Sequence, residues 1–246
     1  MEDILSEIEY KLFGVVNGID TELYNAEKDP KIKFNYKPTD LEGKAKDKEY
    51  LQKKLGLAVN PDIPIVAMVS RLVKHKGLEL VDYISQEFTN VNMQFVVLGT
   101  GDKKYEDMFH FLAYCHPEKV SANITFSADL ASEIYAGADF LLMPSKSEPC
   151  GLSQLIAMRY GTIPIVRETG GLVDTVPPIN TETLDGRGFT FKVFNAHDML
   201  GAIERAVAFY GDKTKLSAFR TRIMKYDSSW KIPADTYMGI YNELVN

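Results

Sequence analysis

The sequence predicts an α/β fold, in which a parallel sheet is covered by helices on both faces. Short apolar runs typical of buried strands recur between residues 64 and 191, and each is followed by a helical pattern or a turn. The chain has 246 residues, of which 45% are hydrophobic and 11% aromatic, so it can bury a substantial core. This length fits one large α/β domain or two small ones.

Apolar runs bounded by turn residues define the predicted strands. These strands are residues 64–70, 93–98, 124–126, 138–143, 162–166 and a short final run at 188–191. Pro164 predicts an edge position or a strand start for the fifth run, because proline cannot donate a hydrogen bond to a strand ladder.

Apolar residues at helical spacing predict the helices. They are residues 77–88, 105–114, 152–159 and 173–176, followed by a helical tail from Ala196 to Asn246. Gly161 is the predicted left-handed cap of the third helix. In the tail, the residues predicted to face inward are Ala202, Ala206, Phe209, Leu216, Phe219 and Ile223. The charged region from Glu2 to about Gly56 predicts a connecting segment with a surface helix.

Charge and motif content exclude several classes of function. The formal net charge of −6 argues against a nucleic acid or an anionic membrane as partner, because both need a broad basic face. Cys115 and Cys150 fit a reducing compartment, so we expect a cytoplasmic location. No apolar run approaches the length of a membrane helix, and the N-terminus is acidic, unlike a signal peptide. The four histidines lack metal-ligand spacing, so no metal is expected.

Loops that follow predicted strands hold the candidate site residues, because ligands of open parallel sheets bind beyond the carboxyl ends of the strands. The first loop, residues 70–77, places Arg71 and Lys76 where they could neutralise a diphosphate, although a solvated basic loop is an open alternative. The second loop contains Gly99, Gly101 and Asp102. Its fingerprint for a dinucleotide is incomplete, which argues against NAD and favours a tight turn.

Three further positions suggest a ligand with phosphates and hydroxyls. Phe126 ends the third predicted strand, where its ring could stack on a base or belong to the core. Glu148 lies before the helix at 152–159 and could accept hydrogen bonds from sugar hydroxyls, or serve only the helix dipole. The segment 169–172, with two glycines, opens the next helix and favours phosphate binding. Together these features indicate a sugar nucleotide.

Several strings in the chain resemble a known enzyme family. They are residues 13–20, 69–77, 98–102, 137–144, 147–154 and 169–175. These strings look like bacterial glycogen synthase and plastid starch synthase, whose two Rossmann-like domains form the glycosyltransferase B (GT-B) architecture. The resemblance covers only the C-terminal, donor-binding half. It implies a linker at residues 1–24, a nucleotide-sugar-binding domain at 25–230, and a C-terminal helix at 231–246 that packs toward the N-terminal domain.

The resemblance also implies a role for each candidate residue. Arg71, Lys76 and Glu148 would be catalytic: the two cations hold the diphosphate and stabilise the leaving ADP, and Glu148 grips hydroxyls of the glucose. The implied binding residues are Asn17 for the sugar, Phe126 for adenine, Cys150, Gly151 and Leu152 for the glucose through the backbone, Thr169, Gly170, Gly171 and Leu172 for the distal phosphate, and Gly99, Gly101 and Asp102 in support. Ile156 stands where many retaining transferases have a glutamate for ribose.

The activity that the resemblance implies is transfer of glucose from ADP-glucose to the nonreducing end of an α-1,4-glucan, with retention at the anomeric carbon. No cofactor is expected beyond the donor substrate, and the glucan would bind through the N-terminal domain. Without that domain, we expect the chain alone to be inactive. A sugar-nucleotide epimerase and a non-catalytic nucleotide-sugar-binding module are the alternatives, and the preference for ADP over UDP depends on the resemblance.

Overall fold

A computed structural model describes residues 2–245, and within that range the strands form one six-stranded parallel sheet. The strands are β1 (Ile65–Val69), β2 (Gln94–Leu98), β3 (Val120–Asn123), β4 (Phe140–Met143), β5 (Ile163–Arg167) and β6 (Phe189–Phe191). Their spatial order is β3-β2-β1-β4-β5-β6. The predicted fold class is therefore confirmed.

Helices connect the strands and cover the sheet. They are α1 (Glu2–Glu7), α2 (Glu42–Lys54), α3 (Leu78–Tyr83), α4 (Ser85–Asn90), α5 (Lys103–Cys115), α6 (Ala128–Gly137), α7 (Ser153–Arg159), α8 (Gly171–Thr175), α9 (Ala196–Tyr210), α10 (Lys213–Met224) and α11 (Lys231–Val245), with short 3-10 helices at Glu9–Lys11 and Lys74–Lys76.

Alternate residues of the central strand β1 belong to different apolar clusters. Val66 and Met68 join a large cluster that includes Phe88 of α4. Ile65 and Ala67 join a second cluster that contains residues of α2 and α6. Both faces of the strand are therefore buried, which explains why its sequence is continuously apolar rather than alternating.

The third predicted strand is wrong. The structure has β3 at Val120–Asn123, and residues 124–126 lie in the loop that follows it. β3 is at the edge of the sheet, paired with β2 alone, and most of its residues are half-buried. An edge strand of this kind contains few apolar residues, so it lacks the signal on which the prediction depended.

Pro164 is predicted to mark either a strand start or an edge strand, and the first of these is confirmed. It is the second residue of β5, and β5 does not lie at the edge of the sheet. β4 pairs with β5 on one side, and β6 pairs with it on the other. The ladder with β6 begins only at Ile165. The missing N–H of Pro164 is tolerated because it falls before that ladder starts.

Helix predictions hold in type but not in continuity. The segment 77–88 is divided at Ile84 into α3 and α4, and the tail is divided into α9, α10 and α11. The six tail residues predicted to face inward are all buried, and Gly161 has the left-handed conformation of a cap. The end residues Met1 and Asn246 lie outside the described range. The proposed domain boundaries stay a prediction.

A buried ionic cluster ties α2 and α10 to the sheet. The carboxylate of Asp139, which is 2% exposed, lies 2.8 Å from Lys48 Nζ and 2.5 Å from Arg220 Nη2. It also accepts a hydrogen bond from the backbone N–H of Ile65 at 2.8 Å. Burial by itself would raise the pKa of Asp139, but the two cations hold that pKa below its ordinary value. The group is therefore a carboxylate at neutral pH.

Asp47 of α2 is a second buried acid, with the opposite behaviour. Its Oδ1 accepts a hydrogen bond from the N–H of Phe34, whereas its Oδ2 finds no hydrogen-bonding partner among residues 2–245. Burial raises the pKa of Asp47 to about 6. The folded protein therefore holds this proton more tightly than the unfolded chain does.

The raised pKa predicts a specific pH dependence of stability. The contribution of Asp47 is fully present below its unfolded pKa and is lost as the pH rises through about 6. We expect Asp47→Asn to remove that loss, so that the stability of the variant rises relative to that of the parent as the pH increases from about 4 to about 6. Urea unfolding at several pH values measures the difference in the free energy of unfolding between the variant and the parent. Equal slopes of stability against pH in the two proteins would contradict the assignment, and Asp107→Asn, at an exposed ion pair, is the control.

Candidate active site

The carboxyl ends of β1 and β4 form the centre of the site. The chain runs from β1 toward β2 on one side of the sheet and from β4 toward β5 on the other, so the strand order reverses between these two neighbours. A crevice opens at such a switch point, and ligands bind there in open parallel sheets. The loop with Arg71 and Lys76 leaves β1, and the loop with Glu148 leaves β4.

Two neighbouring cavities lie along this crevice. The larger, of about 360 Å³, is lined by Arg71, Gly99, Phe126 and Ile156 among others. The smaller, of about 60 Å³, is lined by Lys76, Glu148, Gly151 and Leu152 among others. Val69 and Ser70 contribute to both cavities, so the two share a wall at the end of β1. The structure thus brings most of the predicted residues to one edge of the sheet.

Lys76 and Glu148 form an ion pair in the smaller cavity. The distance from Lys76 Nζ to Glu148 Oε2 is 2.5 Å, and Ser145 Oγ donates to the same carboxylate oxygen at 3.2 Å. Glu148 is 8% exposed, so the pair is largely shielded from solvent. Both of these contacts fall on one carboxylate oxygen, so the group keeps acceptor capacity for ligand hydroxyls. Glu148 therefore has partners of its own besides the dipole of α7, and its predicted role toward a sugar stays a prediction.

The glycine loop before α8 packs directly on the Glu148 loop. Gly171 N–H donates to the carbonyl oxygens of Glu148 at 3.2 Å and Pro149 at 3.1 Å. Gly170 has a φ of 50°, and a Cβ there would lie 2.1 Å from Glu148 O. Only glycine fits this approach.

These hydrogen bonds limit which amides of the glycine loop are available to a ligand. The N–H of Gly171 is engaged as described, and the N–H of Leu172 donates to Thr169 O at 3.1 Å. The side chain of Leu172 is fully buried. The predicted contacts of Thr169, Gly170, Gly171 and Leu172 with a phosphate stay a prediction.

Phe126 lies at the mouth of the larger cavity and is 91% exposed, so it does not belong to the core. A phenylalanine face left open beside a cavity is available for stacking. Deeper in the same cavity lies Tyr135, and burial raises the pKa of its phenol to about 12. Tyr135 is therefore a neutral hydrogen-bonding group at neutral pH.

Other predicted residues support the site or lie apart from it. Asp102 N–H donates to Leu72 O at 2.7 Å, and Gly101 N–H donates to Glu106 Oε1 at 2.8 Å, so this turn holds the β1 and β2 loops together. Asn17 is exposed and lines neither cavity. A role for it stays a prediction.

The backbone at Cys150 and Gly151 is held from behind by a buried amide. Gln154 Nε2 donates to Cys150 O at 3.1 Å and to Gly151 O at 3.0 Å. Gln154 is fully buried, and Cys150 is half-buried. These hydrogen bonds fix the position of the segment. The predicted contribution of its backbone to sugar binding stays a prediction.

Sequence reasoning missed several residues of the larger cavity. The residues that reach it from the N-terminal region, which the sequence predicts to be a connecting segment with a surface helix, are Tyr24, Asp29 and Lys31. Tyr160 OH donates to Asp29 Oδ2 at 2.6 Å, which fixes that carboxylate in the wall. No local pattern marks these residues, because the position of Asp29, for example, depends on a contact with a residue 131 positions away.

Comparison with known proteins gives the family. The model of the family described as "Glycosyl transferases group 1" matches residues 49–218, which include the β1, β2, β4 and β5 loops. The chain belongs to the group 1 glycosyltransferases. Within the described residues of this glycosyltransferase chain, no helix is long and apolar enough to cross a membrane, and no group of three or more His, Cys, Asp or Glu is placed to hold a metal ion.

Among relatives of this glycosyltransferase are curated glycogen synthases. The chain is 50% identical over 235 residues to that of Clostridium novyi and 46% identical over 246 residues to that of Kosmotoga olearia. These alignments cover 96% and 100% of this chain, but 49% and 52% of the relatives. The chain thus spans about half the length of the curated relatives it matches.

A solved structure agrees with the sequence relatives. The catalytic domain of starch synthase IV from Arabidopsis thaliana, bound to ADP and acarbose, superposes with a TM-score of 0.91 at 34% identity. The match covers 98% of this glycosyltransferase chain and 50% of the starch synthase chain. The predicted Rossmann-like half of a GT-B glycosyltransferase is therefore confirmed as the fold.

Proposed function

We propose that this chain is the donor-binding half of a glycogen synthase, which transfers glucose from ADP-glucose to the nonreducing end of an α-1,4-glucan with retention. The observation that carries the proposal is the convergence of Arg71, Lys76 and Glu148 on two adjoining cavities at the switch point. The glycogen synthase relatives and the ADP-bound starch synthase support the choice of nucleotide and sugar.

The sizes of the two cavities suggest how the donor lies. The larger cavity has room for a nucleoside, and Phe126 at its mouth offers a ring to the base. The diphosphate would then cross the shared wall at Ser70, between Arg71 on one side and Lys76 on the other. The smaller cavity is too small to enclose a hexose, so the glucose would meet Glu148 with one edge and face the open crevice with the other.

The positive charges of Arg71 and Lys76 are what this arrangement can contribute to catalysis. Negative charge builds on the diphosphate as the glycosidic bond breaks, and fixed cations at that point stabilise it. Arg71 can offer a fork to the phosphate oxygens, whereas Lys76 offers a point charge whose position is set by Glu148. Glu148 then links the cation that holds the leaving group to the hydroxyls of the sugar that is transferred.

A stacking prediction tests the nucleotide site. We expect Phe126→Ala to weaken ADP binding by about tenfold, since an aromatic ring under a base contributes about 1–3 kcal/mol. Calorimetric titration of the chain with ADP measures the loss. The control is Phe111→Ala, which removes another exposed phenylalanine, on α5, that does not line either cavity. Unchanged affinity in Phe126→Ala would exclude stacking.

The proposed function itself is tested by binding and by turnover. In competition titrations, ADP should displace ADP-glucose more strongly than UDP does. A chimera that joins this chain to the N-terminal half of a curated relative should elongate a maltooligosaccharide with ADP-glucose. Binding without elongation in the chimera would favour a non-catalytic nucleotide-sugar-binding module, and failure to bind either nucleotide would sink the proposal. The cytoplasmic location and the glucan partner stay predictions.

A further inference from the structure

The segment that carries Glu148, residues 144–148, has no regular secondary structure, so other groups must set its position. The guanidinium of Arg167, at the end of β5, contacts it directly. Arg167 Nε donates to Ser145 O at 2.9 Å, and Nη2 donates to Lys146 O at 2.7 Å. A planar fork that donates to two successive carbonyls fixes both their position and their orientation.

The same guanidinium connects a third strand end. Arg167 Nη1 donates to Lys192 O at 3.3 Å, just after β6, and the guanidinium lies 5.5 Å from the centre of the Phe194 ring. Arg167 therefore joins the loops that follow β4 and β6 to the end of β5. The hydrogen bond from Nε to Ser145 O is partly buried, which strengthens it relative to that of a solvated arginine.

The fixed loop in turn positions both members of the ion pair. Ser145, whose carbonyl Arg167 holds, donates its hydroxyl to Glu148 Oε2. Lys146, whose carbonyl Arg167 also holds, donates its N–H to His75 O at 2.9 Å, next to Lys76. One side chain outside both cavities thus controls the spacing of the β1 and β4 loops.

We propose that Arg167 is a positioning residue for the donor sugar: it holds the Ser145–Lys146 backbone so that Glu148 faces the hexose hydroxyls. The inference rests on the proposed function, because it assigns Glu148 to the hexose. Arg167 lines neither cavity, so in this proposal it acts on the donor only through the loop. Its loss should therefore reduce the part of the affinity that the hexose adds, and leave the nucleotide part in place.

The experiment compares ADP and ADP-glucose binding to this chain by calorimetry. The hexose gain is defined as the Kd for ADP divided by the Kd for ADP-glucose. Arg167→Met keeps the apolar stem and removes the fork. We expect this substitution to weaken the binding of ADP-glucose by about tenfold and the binding of ADP by less than about twofold. The first figure is the effect usual for loss of hydrogen bonds to a group that must be oriented.

A matched control separates positioning from general stability. Arg205 of α9 also donates to a backbone carbonyl, Thr190 O of β6, at 2.8 Å, and no hydrogen bond joins it to the Glu148 loop. Arg205→Met should keep the hexose gain of the parent protein. Loss of the gain in both variants would mean that Arg167 is only structural, and a parental gain in Arg167→Met would overturn the inference while leaving the proposed function intact.

A second variant covers a failure of Arg167→Met to fold. Arg167→Lys keeps the charge but offers no fork, so it should show a hexose gain below that of the parent. A full gain in Arg167→Lys would overturn the inference, because the two-carbonyl geometry would then be dispensable. If the parent chain binds ADP and ADP-glucose equally, Glu148 does not address the hexose, and the inference falls together with that part of the proposed function.

Discussion

Replacement of Arg71 by alanine should lower kcat of the chimeric synthase by about 100-fold or more, the usual loss when one preorganised group that stabilises developing charge is removed. The affinity for ADP-glucose should fall much less. The physical reason is that charge on the diphosphate grows as the glycosidic bond breaks, so the guanidinium interacts more strongly with the transition state than with the bound donor. Initial rates at saturating glucan, with the ADP-glucose concentration varied, give kcat and the KM for ADP-glucose.

The control for Arg71 comes from its own loop. Lys74 is an exposed cation three residues away that lines neither cavity. Lys74→Ala should leave kcat within about twofold, because a solvated charge outside the site is screened by salt. A kcat that survives in Arg71→Ala would remove the leaving-group role. Equal losses in both variants would show that the general charge of the loop acts, and not the position of one guanidinium.

The second large effect concerns stability. We expect Asp139→Ala to lower the free energy of unfolding by about 3–5 kcal/mol, because it leaves Lys48 and Arg220 as buried cations without their shared carboxylate. Denaturant unfolding measures the change. Asp107→Ala is the matched control, since its ion pair with Lys103 is exposed and such pairs contribute about 0–1 kcal/mol.

The lowered pKa of Asp139 adds a pH test of the same cluster. Its contribution to stability is present above the unfolded pKa of the group and is lost as the pH falls through the lower, folded pKa. Lowering the pH should therefore destabilise the parent protein more than it destabilises the Asp139→Ala variant. A loss in Asp139→Ala no larger than in the Asp107 control would show that Lys48 and Arg220 find other acceptors, and that the cluster does not hold α2 and α10 to the sheet.

The sequence by itself determined the α/β class, the strands with continuous apolar runs, and the loops in which to look for chemistry. These follow from local patterns: buried parallel strands need apolar residues on both faces, and the carboxyl ends of such strands lie at one edge of the sheet. Arg71, Lys76 and Glu148 could be proposed from position alone for that reason. The edge strand β3 could not be predicted in this way, because a half-exposed strand has no continuous apolar run.

Only the tertiary structure decided which of these groups meet. The ion pair of Lys76 and Glu148 joins residues 72 positions apart, and the hydrogen bonds of Arg167 depend on the register of β4 against β5. The placement of Asp29 in the cavity wall depends on Tyr160, 131 positions away. Contacts of this kind are set by the packing of the whole sheet and its helices, and no local stretch of sequence records them, because each partner is compatible with many neighbours until the fold selects one.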